Sequence, residues 1–184
     1  MIKKIQLDGF ELSYMTEGEG RDVLLLHGFP SNMYFWNDLK NDLKDYCRVT
    51  VVEQRGYPLS PIENSIVSDF NIENLSLDIE KLIRTLQLNN NLTIVGHDWG
   101  SIVAWSIASR NNVAIEKLIS ICGGTEFPST SIYNNLLFDN GMHYISSFQN
   151  PEKANKLIIK NLDLFFRSAY RITPKFDIDI IDLS

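Results

Sequence analysis

Val95-Gly96-His97-Asp98-Trp99-Gly100 is the stretch from which the rest of the chain is read. Ahead of it, Leu92-Thr93-Ile94-Val95 is a short apolar, β-branched run with the pattern of a buried strand. Behind it, residues 101–110 carry Ile102, Val103, Trp105, Ile107 and Ala108, the pattern of a buried helix. A strand that turns directly into a helix needs small neighbours, because the turn residue sits in a strained conformation. Gly96 and Gly100 flank Asp98 two residues to either side. This is the spacing of a nucleophile elbow, with aspartate in the nucleophile's place.

Aspartate changes the chemistry expected at such a turn. A serine needs a base to take its proton, whereas a carboxylate is already ionised near neutral pH. A helix N-terminus favours its negative charge. In a dry site it would attack an electrophilic carbon directly and form an ester. Aspartate is also a good helix N-cap, which is the plainer reading of Asp98. Glycines at both elbow positions, a strand before and a helix after favour the nucleophile.

The chain of 184 residues is long enough for one domain with a sizeable core, and 44% hydrophobic with 22% charged is ordinary for a globular protein. A net charge of −6 argues against a nucleic-acid partner, and no basic run suggests a membrane surface. The two cysteines make no disulfide framework, and Cys122, in an apolar run, is expected to be a buried thiol. Met1-Ile2-Lys3-Lys4 leads into polar residues and not into a signal peptide, so the cytoplasm is the expected location.

Residues 2–7 and 10–15 read as strands joined at Asp8-Gly9, a hairpin signal. Val23 to Leu26 reads as a buried strand, residues 32–44 as a helix with Phe35, Trp36, Leu39 and Leu43 on one face, and residues 48–53 as a strand. Residues 59–70 read as loop; Ile72, Leu75, Ile79, Leu82, Ile83 and Leu86 then mark an amphipathic helix. After the elbow, residues 117–122 form another strand. Strands alternating with helices in this way imply an α/β fold around a parallel, doubly wound sheet. Beyond Gly124 the pattern changes, with a helix expected over residues 151–169 and a strand-like alternation in the last nine residues, 176–184.

Gly96-His97-Asp98-Trp99-Gly100, with His27-Gly28-Phe29-Pro30 and Gln54-Arg55-Gly56-Tyr57 upstream, resembles the epoxide hydrolase branch of the α/β-hydrolase superfamily over residues 23 to about 170. Haloalkane and fluoroacetate dehalogenases share the aspartate elbow. The resemblance implies an α/β-hydrolase core over residues 1–124, a mostly parallel sheet with an N-terminal hairpin, and part of a helical cap over residues 125–184. It also implies a small apolar electrophile as substrate, an epoxide or an alkyl halide, with no metal and no organic cofactor.

Residue by residue, it implies Asp98 as nucleophile, with the backbone N–H groups of Phe29 and Trp99 as oxyanion-hole donors. That suits the physics, since both follow strand ends where the ester's charge would develop. It further implies a cis Phe29–Pro30 bond, and His27 is expected to orient its loop and not to act as base. The arginine of Glu53-Gln54-Arg55-Gly56-Tyr57-Pro58 would brace loops beneath the site, although Pro58 stands where the family has glycine and removes an N–H at a bend. Tyr144, in Tyr144-x-x-x-Phe148-Gln149-x-Pro151, resembles the cap tyrosine that protonates the departing alkoxide. Phe29, where haloalkane dehalogenases tend to carry a polar residue, and Tyr144 favour the epoxide over the halide.

The three histidines are His27, His97 and His143, and none follows a late strand. The base that would hydrolyse the ester is therefore missing from the expected order, and steady turnover is expected to fail. Glu126 is a candidate for the acid of the triad, with a solvated loop carboxylate as the plainer alternative. A chain that stops within the cap lacks the closing strands, so the strand at residues 117–122 is expected to be an exposed apolar edge open to self-association. A non-catalytic fragment or interaction protein is the reading from a different class.

Overall fold

The computed structural model describes residues 1–123 and 150–170. The chain divides into two compact units, Met1–Glu126 and Phe127–Ser184. In the first unit the elements run β1 (Lys3–Gln6), β2 (Glu11–Glu17), β3 (Arg21–Leu26), α1 (Asn37–Leu43), β4 (Cys47–Val52), α2 (Ile72–Thr85), β5 (Thr93–His97), α3 (Trp99–Arg110) and β6 (Lys117–Ile121). They form one sheet in the order β1-β2-β4-β3-β5-β6. The β1–β2 and β2–β4 pairs are antiparallel, and β3 pairs parallel with both β4 and β5, as β5 does with β6. This is the mostly parallel sheet with an N-terminal hairpin that the sequence suggests.

β3 is buried on both faces because successive side chains point to opposite sides of a strand. Leu24 and Leu26 pack with Ile94, Leu82, Val103 and Ile107 beneath α2 and α3. Val23 and Leu25 pack with Val49, Val51, Val95, Met33 and Trp36, where Leu39 and Leu43 of α1 close the cluster. From β3 the chain passes to β4 on one side and then crosses to β5 on the other. The strand order thus reverses between β3 and β5, and it is at the carboxyl ends of strands at such a switch point that ligands of these sheets bind.

Several local expectations change. The helix expected over residues 32–44 opens as a 3₁₀ turn, Met33–Trp36, before α1 begins. In a 3₁₀ turn residues three apart eclipse one another, so Met33 and Trp36 are buried together while Phe35 turns outward. In the hairpin the positive φ falls on Gly9 alone, so the turn is not the type that needs positive φ at both central residues. The loop at residues 59–70 contains a 3₁₀ turn, Val67–Phe70. Cys122, expected to be buried, is exposed, because it lies one residue past the end of β6 with φ +55°. β6 is an edge strand among the described residues, as β1 is at the other side, and Ile119 and Ile121 on it are 48% and 39% exposed.

In the second unit the helix expected over residues 151–169 is two, α4 (Pro151–Lys160) and α5 (Leu162–Ala169). The break is at Asn161, whose N–H donates to the Ile158 carbonyl in a tightened turn and whose carbonyl accepts the Phe165 N–H that begins α5. Glu126, Tyr144 and the alternating residues 176–184 lie outside the described residues. No helix among the described residues is long and apolar enough to cross a membrane.

Candidate active site

Register places the two halves of the site. Leu26 of β3 lies beside Gly96 of β5, so the segments that follow both strands emerge side by side at the same end of the sheet. Asp98 carries the turn from β5 into α3 with φ 53° and ψ −121°, a conformation side chains rarely adopt and one that costs roughly 1–3 kcal/mol. Its carbonyl starts α3 by accepting the Ser101 N–H at 2.9 Å, but its carboxyl makes no cap hydrogen bond. Instead Oδ1 accepts the Phe29 N–H at 2.9 Å. The capping reading of Asp98 is therefore set aside by where its side chain points.

The flanking glycines are the small neighbours that the sequence leads one to expect around a strained turn residue. The strain sits on Asp98 itself, while Gly96 and Gly100 permit close approach. A Cβ on Gly96 would lie 2.3 Å from the Gly100 carbonyl oxygen, and one on Gly100 would lie 2.2 Å from that of Leu26. Ser101, buried at the start of α3, fastens the turn by donating from Oγ to the Gly96 carbonyl at 2.6 Å and accepting the Ile121 N–H at 3.1 Å. The Asp98 N–H donates to the Ile121 carbonyl at 2.9 Å, which joins the turn to the end of β6.

The second half is the loop after β3. His27 is fully buried, its Nε2 accepts the Gln54 N–H at 3.1 Å, and its Nδ1 lies 3.1 Å from the Gly28 carbonyl. With Nε2 accepting, the proton is on Nδ1 and donates to Gly28. Burial pushes the His27 pKa down to about 4, so the ring is neutral at ordinary pH. This matches a loop-orienting histidine. The Gln54 side-chain amide donates to the His27 carbonyl, and Tyr57 meets the imidazole edge-on at 4.4 Å. Phe29–Pro30 is cis.

Support comes from beneath. Arg55 holds Asp78 of α2 with two hydrogen bonds of 2.6 and 2.7 Å and donates to the Asp69 carbonyl at 3.1 Å, the bracing expected of it. Glu53 is buried and accepts the Met33 N–H at 2.8 Å; burial pushes its carboxyl up. Pro58 is accommodated because it follows Tyr57 in a tight turn closed by the Ser60 N–H on the Tyr57 carbonyl, where no proline N–H is needed.

Phe29, Tyr34, Phe35 and Trp99 leave large aromatic surface exposed on this side of the sheet. Phe35 stacks on His97 at 4.8 Å, and His97 Nδ1 is buried without a hydrogen-bond partner among the described residues. Asp98, Phe29 and Trp99 are thus brought together, with Trp99 the first residue of α3. Ser31 and Ser101 are structural members of the site that the sequence pattern does not single out, and Gln54 is one to which its motif assigns no role. For Ser31 and Ser101 the available signal is a hydroxyl placed within a few residues of an expected strand end.

A family model described as alpha/beta hydrolase fold matches residues 23–171. Epoxide hydrolase 2 of Caenorhabditis elegans is 32% identical over 176 residues, which cover 91% of this chain and 48% of that protein. The cis-3-alkyl-4-alkyloxetan-2-one decarboxylase of Shewanella oneidensis is 32% identical over 124 residues, 67% of this chain and 39% of that protein. Among solved structures, an epoxide hydrolase from Vigna radiata superposes with a TM-score of 0.80 at 27% identity, covering 92% of this chain and 56% of that one. The chain spans about half the length of the curated relatives it matches.

Proposed function

The chain belongs to the α/β-hydrolase fold family and is epoxide hydrolase-like; from that premise we propose that Asp98 opens an epoxide by direct attack on carbon. The observation that carries this reading is the Asp98 carboxyl, turned away from its own helix and held by the Phe29 N–H through Oδ1. Oδ1 is thereby committed to a donor, and Oδ2 is the oxygen that attacks. A bond forms from Oδ2 to an epoxide carbon as the ring C–O bond breaks, and the departing alkoxide takes up a proton, the donor role that the family resemblance implies for Tyr144. When water later attacks the ester carbonyl, the negative charge develops on Oδ1, which accepts the Phe29 N–H, and the Trp99 N–H is the second donor of this proposal.

The last step needs a base. Both ring nitrogens of His27 are engaged, Nδ1 with the Gly28 carbonyl and Nε2 with the Gln54 N–H after β4, and His97 lies stacked on Phe35. We therefore propose that these 184 residues, assayed as they stand, form the ester once and turn over poorly. Intact-mass measurement after exposure to styrene oxide tests this: a single adduct of the epoxide's mass, mapped to Asp98 and gone in Asp98→Ala, is expected. A folded wild-type chain without an adduct, or an adduct that survives in Asp98→Ala, overturns the reading. Stoichiometric halide release from an alkyl bromide, with no reaction of the epoxide, would select the dehalogenase instead.

A second reading is carried by the similarity to the Shewanella protein. Like an epoxide, an oxetan-2-one is a strained oxygen ring, and its decarboxylation would release carbon dioxide. Headspace carbon dioxide from such a ring, lost in Asp98→Ala, selects that substrate class.

A further inference from the structure

We infer that Ser31 is a positioning residue of this site, fixing the peptide plane that aims the Phe29 N–H at Asp98. The Gly28 carbonyl and the Phe29 N–H belong to one peptide unit, and in a trans peptide they point in opposite directions. Whatever holds the carbonyl therefore aims the N–H. Ser31 Oγ donates to the Gly28 oxygen at 2.8 Å, and His27 Nδ1 donates to the same oxygen at 3.1 Å. Together they occupy both lone pairs of the carbonyl. On the other side of the plane the Phe29 N–H reaches Asp98 Oδ1 at 2.9 Å.

The space around the peptide makes this orientation matter. A Cβ built on Gly28 would lie 2.5 Å from both Cβ and Oδ1 of Asp98, so the peptide and the carboxylate are already in contact. Rotating the plane would bring the Gly28 oxygen toward the carboxylate and replace an attraction with a repulsion. His27 is locked from behind by the Gln54 N–H and by burial. Ser31 itself is buried, with the Gly28 oxygen as the acceptor of its hydroxyl. A hydroxyl that spends its one proton on this carbonyl acts through the peptide; it does not touch the reacting atoms.

The kinetic consequence rests on the reading of Asp98 as the attacking group, but the structural consequence does not, so the test has two independent arms. The first is the Phe29 amide proton shift by NMR, measured as the change caused by Asp98→Asn. With Ser31 intact that change is expected to be large, because a carboxylate acceptor is lost. In Ser31→Ala it should fall to less than about half, and Ser31→Thr, which keeps the hydroxyl, should restore it. Ser31→Cys, close to serine in size with a weaker donor, should fall between the two and serves if the alanine variant folds poorly.

The second arm is the rate of Asp98 adduct formation with styrene oxide, expected to drop about tenfold in Ser31→Ala and to recover in Ser31→Thr. An unreduced Asp98→Asn effect on the Phe29 amide in Ser31→Ala overturns the inference, whatever the adduct does. A reduced effect with no adduct in any variant leaves the positioning role standing and removes the proposed reaction.

Discussion

The segment after β3, residues 27–32, and the segment that turns from β5 into α3, residues 96–101, lie side by side and supply the two halves of the site, yet they are held by opposite means. The first is fixed by directional bonds: His27, Ser31 and Gln54 each place a polar group on a backbone partner. The second is fixed by contact at two missing side chains, Gly96 and Gly100, with one hydroxyl, Ser101, as fastener. A hydrogen-bonded loop loses position in steps as donors are removed. A turn held by steric approach has no such gradation.

That difference ranks the ways to break the site. The largest effect belongs to the contact-held turn: Gly100→Ala puts a Cβ 2.2 Å from the Leu26 carbonyl oxygen, and backbone cannot yield as a flexible side chain does. Urea unfolding should show a loss of roughly 3 kcal/mol or more. Unchanged stability in the Gly100→Ala variant would remove the steric account.

The next effect lies in the hydrogen-bonded loop and is set by pH. With the folded pKa of His27 at about 4 against an ordinary 6.5, the unfolded chain takes up a proton in that window which the folded chain refuses. Stability from this residue is present above pH 6.5 and is lost as pH falls toward 4. Buried Glu53, whose carboxyl is pushed up, acts in the opposite sense, its share fading as pH rises through its folded value. Comparing unfolding series for wild type and His27→Gln separates the two: the variant should lose an acid-side slope amounting to roughly 3 kcal/mol over the window. Parallel series would mean that His27 is protonated in the folded protein.

The smallest effect sharpens the comparison at the loop's far end. The Asn32 side chain accepts the Tyr34 N–H at 3.0 Å and caps the 3₁₀ turn. Asn32→Ala should cost about 1 kcal/mol by thermal or urea unfolding and leave the Asp98 adduct rate unchanged.

The contact-held half was the more legible of the two in the sequence. Glycine spacing about Asp98, a β-branched run before it and an apolar helix after it are short-range signals, and they place the turn to the residue. They also lead one to expect the strain on Asp98 and small residues beside it; what they do not reveal is that Gly100 is crowded by the Leu26 carbonyl, far away in the chain. The hydrogen-bonded half is written in pairings across the fold. His27 with Gln54 depends on β3 and β4 being neighbours, and no local pattern announces it. The same holds for Met33, which periodicity passes over in favour of Phe35 because a 3₁₀ turn does not keep the helical period. Cys122 reads as buried from its apolar neighbours, but the strand ends one residue before it.

The Phe29–Asp98 hydrogen bond joins residues 69 apart in the chain. Closing so long a loop is entropically costly, and β3 finds β4 at shorter separation than it finds β5. The proposed reactivity of the carboxyl is therefore an emergent property of completed assembly: it would serve as a clock, starting only when the last central strand has joined its neighbour.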